Sequence, residues 1–139
     1  IQPGTTSRQS AAFYDIMATF ADAAGIDAPA GTDGHSLLPM MQGRESAQHE
    51  HLYWEIQVSS EAENFRQGVR LGDWKGVRYG VGGPLELYNL ASDPQETRDV
   101  ADEHPGRLDA IERLMQSESQ PVPFFPHAGG KGMPNEQPN

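Results

Sequence analysis

The chain has 139 residues, a length that suits one domain with a modest hydrophobic core. Its formal net charge of −10 argues against a nucleic-acid partner and against binding to an anionic membrane, because both would require a basic patch. No apolar run reaches membrane-spanning length, and the lack of cysteine excludes disulfides and thiolate metal sites. The 11 prolines and 15 glycines indicate that parts of the chain are irregular or lie against something that this sequence lacks.

The opening residues predict a fragment. The segment IQPG at 1–4 has no initiator methionine, is not typical of a signal peptide and forms a turn before any element. We therefore expect this sequence to begin in the middle of a larger chain.

A helix is predicted over Asp15–Ala24. Asp15 is the expected N-cap, and Gly25 supplies a C-terminal stop. Apolar residues recur at the three- and four-residue spacing of one helix face: Phe13, Ile16, Met17, Phe20, Ala21 and Ala24. We expect this face to be a core contact rather than a binding surface.

Two short motifs follow this helix. The DG pair at 33–34 predicts a turn into a short helical segment, Ser36–Gln42, whose length Pro39 limits. The HEH run at 49–51 brings two imidazoles and a carboxylate together, but a zinc site needs further ligands at fitting spacing and none stands out. We interpret this run as the solvated start of a strand.

The segment Leu52–Val58 has the aromatic and branched residues typical of a strand. Alternation along the strand places two sets of side chains on opposite faces: His51, Tyr53 and Glu55 on one, and Leu52, Trp54 and Ile56 on the other. We expect the apolar set to cover the core and the polar set to reach toward a cleft.

A hairpin is the clearest pattern in the chain. The runs Gln67–Leu71 and Trp74–Tyr79 flank a glycine-led pair at 72–73, which is typical of a tight turn. In this register one face is apolar and the other cationic: Leu71, Trp74, Val69 and Gly76 against Arg70 and Lys75.

The remaining elements complete an α+β fold. Leu85–Leu90 predicts another strand, the DPQE run at 93–96 predicts a turn, and a helix is expected over Pro105–Ser117. Apolar residues at helical spacing give this helix a buried stripe: Leu108, Ile111, Leu114 and Met115. We expect a small antiparallel sheet of about four strands packed against the C-terminal helix, with the N-terminal helix in addition. The segment 120–139 predicts an irregular Pro/Gly-rich tail, in which Phe124 and Phe125 dock onto a surface.

Three stretches together resemble the C-terminal part of the sulfatases, members of the alkaline phosphatase superfamily. The GDWK turn at 72–75, followed by ELYNL at 86–90 and DPQE at 93–96, is similar to one family pattern. DIMATFADAAGI at 15–26 resembles the family's Asp-hydrophobic-x-Pro-Thr helix, and DGHSLL at 33–38 resembles its Asp-Gly-x-Ser-Leu segment. The matches occur in family order over roughly residues 1–118. Ala18 departs from the pattern, since the family usually has proline there.

The resemblance implies a role for this chain and an activity for its parent protein. Sulfatases hydrolyse sulfate esters with a formylglycine made from Cys or Ser and with a divalent metal, calcium or magnesium, and the residues involved lie upstream of the matched region. The chain alone would be inactive, with no catalytic or metal residue and no cofactor of its own. Its partners would be the missing N-terminal catalytic domain and a sulfated small molecule or glycan. The same analogy implies a periplasmic or secreted protein.

The resemblance also implies an organisation and a site. Segment 1–44 is expected to form the junction with the end of the catalytic domain, 45–119 the C-terminal subdomain, and 120–139 the tail. His51, Glu55 and Arg66 are expected near the substrate, where His51 and Glu55 would hydrogen-bond a sugar hydroxyl. An interdomain polar contact or a solvated strand edge is the alternative for these residues.

Two other functions remain open. The same superfamily includes phosphodiesterases and phosphonate hydrolases, and a subdomain of such an enzyme is the second hypothesis. A different class is a stand-alone sheet module that binds acidic glycans through the local cluster of basic residues: Arg66, Arg70, Lys75 and Arg78. A solvated strand face is the plain interpretation of the same cluster.

Overall fold

The computed structural model describes residues 3–57 and 61–120. In chain order its helices and strands are α1 (Asp15–Ala24), α2 (Leu38–Met41), β1 (Leu52–Gln57), β2 (Phe65–Leu71), β3 (Trp74–Tyr79), β4 (Leu85–Asn89) and α3 (Pro105–Glu118). The chain divides into two compact units, a first unit Ile1–Leu52 and a second unit Tyr53–Asn139. The boundaries 1–44, 45–119 and 120–139 stay a prediction, and the docking of Phe124 and Phe125 lies outside the described residues.

The bounds of α1 agree with the prediction, but its orientation does not. Its N-cap is Tyr14 rather than Asp15, and Gly25 ends it at a φ of 71°. The predicted core stripe is wrong within the described residues, because Phe13 and Phe20 are 89% and 70% exposed. The buried residues of α1 are Asp15, Ala18, Thr19 and Ala21, and of these only Ala21 belongs to the predicted stripe.

A loop with polar contacts covers this buried side of α1. Gly34 approaches so closely that a Cβ on it would lie 2.2 Å from the carbonyl oxygen of Tyr14. The following loop then bonds to the helix, since the Leu37 N–H donates to the Thr19 hydroxyl over 2.9 Å. Hydrogen bonds to buried polar groups therefore decide which side of α1 faces inward. The short helix α2, Leu38–Met41, falls within the predicted Ser36–Gln42.

The second unit contains a four-stranded antiparallel sheet in the order β1-β2-β3-β4. The predicted hairpin register is confirmed, because Leu71 pairs with Trp74 and Arg70 pairs with Lys75. Gly72, at a φ of 60°, supplies the left-handed backbone that the turn requires. β4 pairs with β3, and this places Leu87 opposite Gly76.

α3 packs on one face of the sheet, called the inner face below. The core consists of fully buried apolar side chains from the sheet and α3: Val69, Leu87, Ile111 and Met115. Gly76 permits the close approach, since a Cβ on it would lie 2.4 Å from Cγ2 of Ile111. Trp74 packs against this core but is only partly buried. The predicted antiparallel sheet under a C-terminal helix is confirmed.

The acidic turn after β4 is joined to the sheet by side-chain bonds. Lys75 Nζ on β3 donates to both carboxylate oxygens of Glu96, over 2.7 and 2.6 Å. Asp93 accepts the N–H groups of Thr97 and Arg98 over 2.8 and 2.9 Å. The hairpin and the DPQE turn, which are separate in the sequence, therefore form one structural motif.

Candidate functional site

Glu55 lies in a polar network on the inner face of the sheet. Its Oε2 accepts hydrogen bonds from the Tyr53 hydroxyl and from Gln67 Nε2, the latter over 3.2 Å. Ser119, which follows α3, donates its hydroxyl to the same oxygen over 2.5 Å. Glu55 thus joins β1, β2 and the end of α3.

The neighbours of Glu55 are shielded from water. Burial raises the pKa of Tyr53 to about 12, and its hydrogen bond to Glu55 acts in the same direction. Tyr53 is therefore a protonated donor at neutral pH. Gln67 is 3% exposed, and its Oε1 has no partner among the described residues. The carboxylate of Glu55 is occupied by protein donors, so its first role is to hold elements together.

From Tyr53 onward the predicted faces of β1 are reversed in the structure, whereas Leu52, at 2% exposed, is buried as predicted. Trp54 and Ile56, expected to cover the core, are 39% and 57% exposed. Tyr53 packs against the core instead, and Glu55 lies in the network on the same face. The expectation is wrong because alternation fixes only which residues share a face. Bonds from Gln67 and Ser119 make the polar face the inner one. His51 is half-buried just before β1.

Arg66 lies on the opposite face of the sheet, the outer face. It is exposed, and its Cζ lies 5.2 Å from the centroid of the Tyr79 ring across the β2–β3 pair. Arg66 and Glu55 therefore point to opposite faces of one sheet. The structure does not bring these two predicted residues together.

The predicted cationic cluster is divided in the same way. Arg78 turns to the inner face and bonds to Glu112 of α3 over 2.5 Å. Lys75 is paired with Glu96. Arg70 donates Nε to the carbonyl oxygen of Gly72 over 3.1 Å. Only Arg66 and Arg70 of this cluster lack a carboxylate partner within residues 3–57 and 61–120.

A second polar cluster lies in the first unit around Asp15, which is fully buried. One carboxylate oxygen accepts the Ala12 N–H over 2.7 Å, and the other accepts the His35 N–H over 2.8 Å. His49 Nε2 lies 2.7 Å from that second oxygen, and the His35 ring stacks on His49 with 4.3 Å between centroids. Burial alone would raise the pKa of Asp15, but these bonds outweigh it and lower the pKa.

This cluster does not form a metal site. Among the residues that the structure describes, no group of three or more His, Cys, Asp or Glu side chains is placed to hold a metal ion. His49 of the HEH run faces Asp15, which its backbone contacts already fix. In the same described ranges, no helix is long and apolar enough to cross a bilayer.

Sequence reasoning missed several residues of these clusters. Gln67 and Ser119 join the Glu55 network from distant parts of the chain, and neither carries a local signal. Asp15 and His35 did have a sequence signal, because Asp15 begins one of the quoted family-like stretches and His35 lies within another. The hydrogen bond from the His35 N–H to Asp15 joins the two stretches in space.

Comparisons with known proteins identify the family. The family model described as N-sulphoglucosamine sulphohydrolase, C-terminal, matches residues 1–121. Arylsulfatase K of Danio rerio is 30% identical over 108 residues, which are 74% of this chain and 21% of that protein.

Solved structures agree with this match. A 2-O GAG sulfatase superposes with a TM-score of 0.66 at 28% identity, covering 74% of this chain and 23% of that one. The phosphonate monoester hydrolase of Agrobacterium radiobacter gives a TM-score of 0.56 at 28% identity, covering 72% of this chain and 23% of that one. The chain thus spans about a fifth to a quarter of the length of these relatives. It belongs to the N-sulphoglucosamine sulphohydrolase C-terminal family and is a C-terminal sulfatase subdomain of the alkaline phosphatase superfamily.

Proposed function

We propose that this chain is the C-terminal subdomain of an enzyme that hydrolyses sulfate esters, with a sulfated small molecule or glycan as substrate. The family match over residues 1–121 carries the proposal. The relatives named above are four to five times longer than the matched region, since it covers 21% of one and 23% of another. The rest of the parent protein would supply the catalytic domain.

The formylglycine and the divalent metal, calcium or magnesium, would belong to that catalytic domain. The described residues of this chain do not fit a metal, because they bring no suitable ligand cluster together. The chain also contains no cysteine, and its nearest approach to the nucleophile motif, TTSR at 5–8, follows a glycine where the nucleophile is needed. The role of this subdomain is therefore structural support and substrate positioning.

The apolar stripe of α1 supports a docking role toward the catalytic domain. Phe13, Met17, Phe20 and Ile26 are between 58% and 89% exposed. They line a groove of about 840 Å³ in the first unit. Large exposed apolar patches of this kind are typical of interfaces. We propose the catalytic domain of the same protein as the occupant, because this chain spans only 21–23% of the relatives named above.

Of the three predicted site residues, His51 and Glu55 are proposed to shape the substrate side of the assembled enzyme. Arg66 points to the outer face of the sheet and would act there, away from Glu55. Because Glu55 already accepts from Tyr53, Gln67 and Ser119, its part is to position β1 rather than to bind the sugar alone. In the full-length enzyme, His51→Ala should raise KM for the natural substrate about two- to tenfold. Glu55→Ala should also raise KM and, because it removes the acceptor of three hydrogen bonds, should lower stability as well. Turnover of a small aryl sulfate should stay nearly unchanged. Equal losses on both substrates, or none on either, would remove these residues from the substrate site.

A second candidate is a phosphonate monoester hydrolase, which the structural likeness to the Agrobacterium radiobacter enzyme favours. The values of kcat/KM of the full-length protein for an aryl sulfate and for an aryl phosphonate monoester separate the two. A preference for the sulfate supports the first proposal. A preference for the phosphonate replaces it with the second.

A further inference from the structure

The outer face of the sheet has a central gap flanked by two arginines. On β2 the side chains of Phe65, Gln67 and Val69 are buried, so those of Arg66 and Arg70 point outward on either side of Gly68. Arg66 and Arg70 are four residues apart on an extended strand, which separates their Cα atoms by about 13 Å.

The gap at Gly68 is covered by an aromatic ring. A Cβ on Gly68 would lie 3.7 Å from Cε3 of Trp54, so the six-membered part of the indole lies over the bare backbone of the glycine. Trp54 is nevertheless 39% exposed, and Tyr79, beneath the guanidinium of Arg66, is 50% exposed. The outer face therefore presents two aromatic rings to solvent beside two cations.

These cations are available to a ligand. Lys75, on the same face, is neutralised by Glu96. Arg66 and Arg70 have only a ring and a carbonyl oxygen as partners in the described part of the chain. A guanidinium group with so few protein partners keeps most of its N–H donors for a ligand. Because the group is planar, it can donate two parallel hydrogen bonds to one sulfate or carboxylate.

We propose that this outer face binds a sulfated saccharide, with a sugar ring on Trp54 and sulfate groups on Arg66 and Arg70. The aromatic rings favour a saccharide over an acidic protein surface, because the C–H face of a sugar packs on a flat ring while the arginines take its anions. β2 is paired on both sides, so an added protein strand has no free backbone edge there. The net charge of −10 does not prevent binding, since screening over about 8 Å at physiological salt leaves local charges dominant.

The test uses the 139-residue chain and a heparin octasaccharide, with its desulfated counterpart as second probe. Binding is measured by calorimetry at physiological salt. The double variant Arg66→Ala/Arg70→Ala should weaken octasaccharide binding by roughly fivefold or more, because each exposed ionic contact contributes modestly. Trp54→Ala should also weaken it, and the desulfated probe should bind far less.

Arg107→Ala/Arg113→Ala is the matched control. It removes the same charge from exposed positions on α3, away from the outer face, and should leave binding nearly unchanged. Equal losses in both double variants would mean unspecific attraction and overturn the proposal. So would the absence of binding, or equal binding of the desulfated probe. None of these outcomes depends on whether the parent protein is a sulfatase.

Discussion

Two glycines in the sheet show how much a single missing Cβ contributes. Gly76 faces α3, and a Cβ on it would lie 2.4 Å from Ile111, whereas a Cβ on Gly68 would have nothing closer than 3.7 Å. Gly76→Ala should therefore lower the free energy of unfolding by about 1–3 kcal/mol through overpacking. Gly68→Ala is the control, because it reduces the entropy of the unfolded chain equally without the clash. Thermal unfolding of both variants measures the cost of this clash. Equal melting temperatures of the two variants would contradict the close packing of Gly76 on Ile111.

Asp15 should make the first unit sensitive to acid. Its pKa is lowered in the folded state, so its contribution to stability is complete above the ordinary carboxyl pKa of about 3.9 and is lost as pH falls through the folded pKa. Asp93, whose pKa is also lowered, acts in the same direction in the second unit. We expect the protection factors of the Ala12 and His35 amides against hydrogen exchange to fall below about pH 4.

Asp15→Asn separates this contribution from general acid effects. The amide side chain of this variant cannot accept the hydrogen bonds from Ala12, His35 and His49 together. The protection of the Ala12 and His35 backbone amides against exchange should therefore drop by about 1–3 kcal/mol at neutral pH and should depend little on pH in the acid range. Asp27→Asn, at an exposed position, is the control and should behave as the parent chain does. Unchanged protection in Asp15→Asn would show that the carboxylate does not hold this loop.

At the scale of elements, the ion pair between β3 and the DPQE turn is the clearest tether. Lys75 and Glu96 are 28% and 31% exposed, whereas Arg98 and Glu103 are 70% and 52% exposed. Glu96→Gln should cost about 1 kcal/mol, and Glu103→Gln should stay within about 0.5 kcal/mol of the parent chain. Urea unfolding of the two variants measures the difference. A larger loss of stability in Glu103→Gln than in Glu96→Gln would show that partial burial does not strengthen the Lys75–Glu96 ion pair.

The elements differ in how far the sequence predicts them. The hairpin register and the bounds of α1 followed from local chemistry, since Gly72 and Gly25 each provide a left-handed backbone at a turn or helix end. The faces of α1 and β1 were predicted wrongly. Both carry apolar residues on their exposed side, and distant polar partners, Thr19 with Leu37 and Glu55 with Ser119, determine which side is buried. Such long-range bonds leave no periodic signal in a sequence.

At the scale of the whole molecule, the exposed stripe of α1 gives a test of the proposed docking. Phe20 is 70% exposed, so Phe20→Ser should change the stability of the 139-residue chain by no more than about 0.5 kcal/mol. In the full-length protein the same change would remove a buried aromatic contact and cost about 3 kcal/mol or more. Thermal unfolding of both forms supplies the comparison. A small effect in both would mean that the catalytic domain does not cover this stripe.

The candidate site shows the same limit on prediction. The family resemblance identified the type of subdomain, which the comparisons show. It did not reveal that Glu55 and Arg66 occupy opposite faces of the sheet, because the partners of Glu55 come from β2 and the end of α3. The sequence also did not show which of the four basic residues of the predicted cluster have a carboxylate partner. In the structure Lys75 pairs with Glu96 and Arg78 with Glu112.

The placement of the two tryptophans makes the chain its own optical reporter. Trp54 lies partly in water on the outer face, while Trp74 meets the His104 ring at 4.7 Å and the Arg107 guanidinium at 5.8 Å where α3 begins. A Trp54→Phe protein would emit from Trp74 alone, and its fluorescence would follow the separation of α3 from the sheet. A Trp74→Phe protein would instead emit from the outer face and respond to whatever binds there.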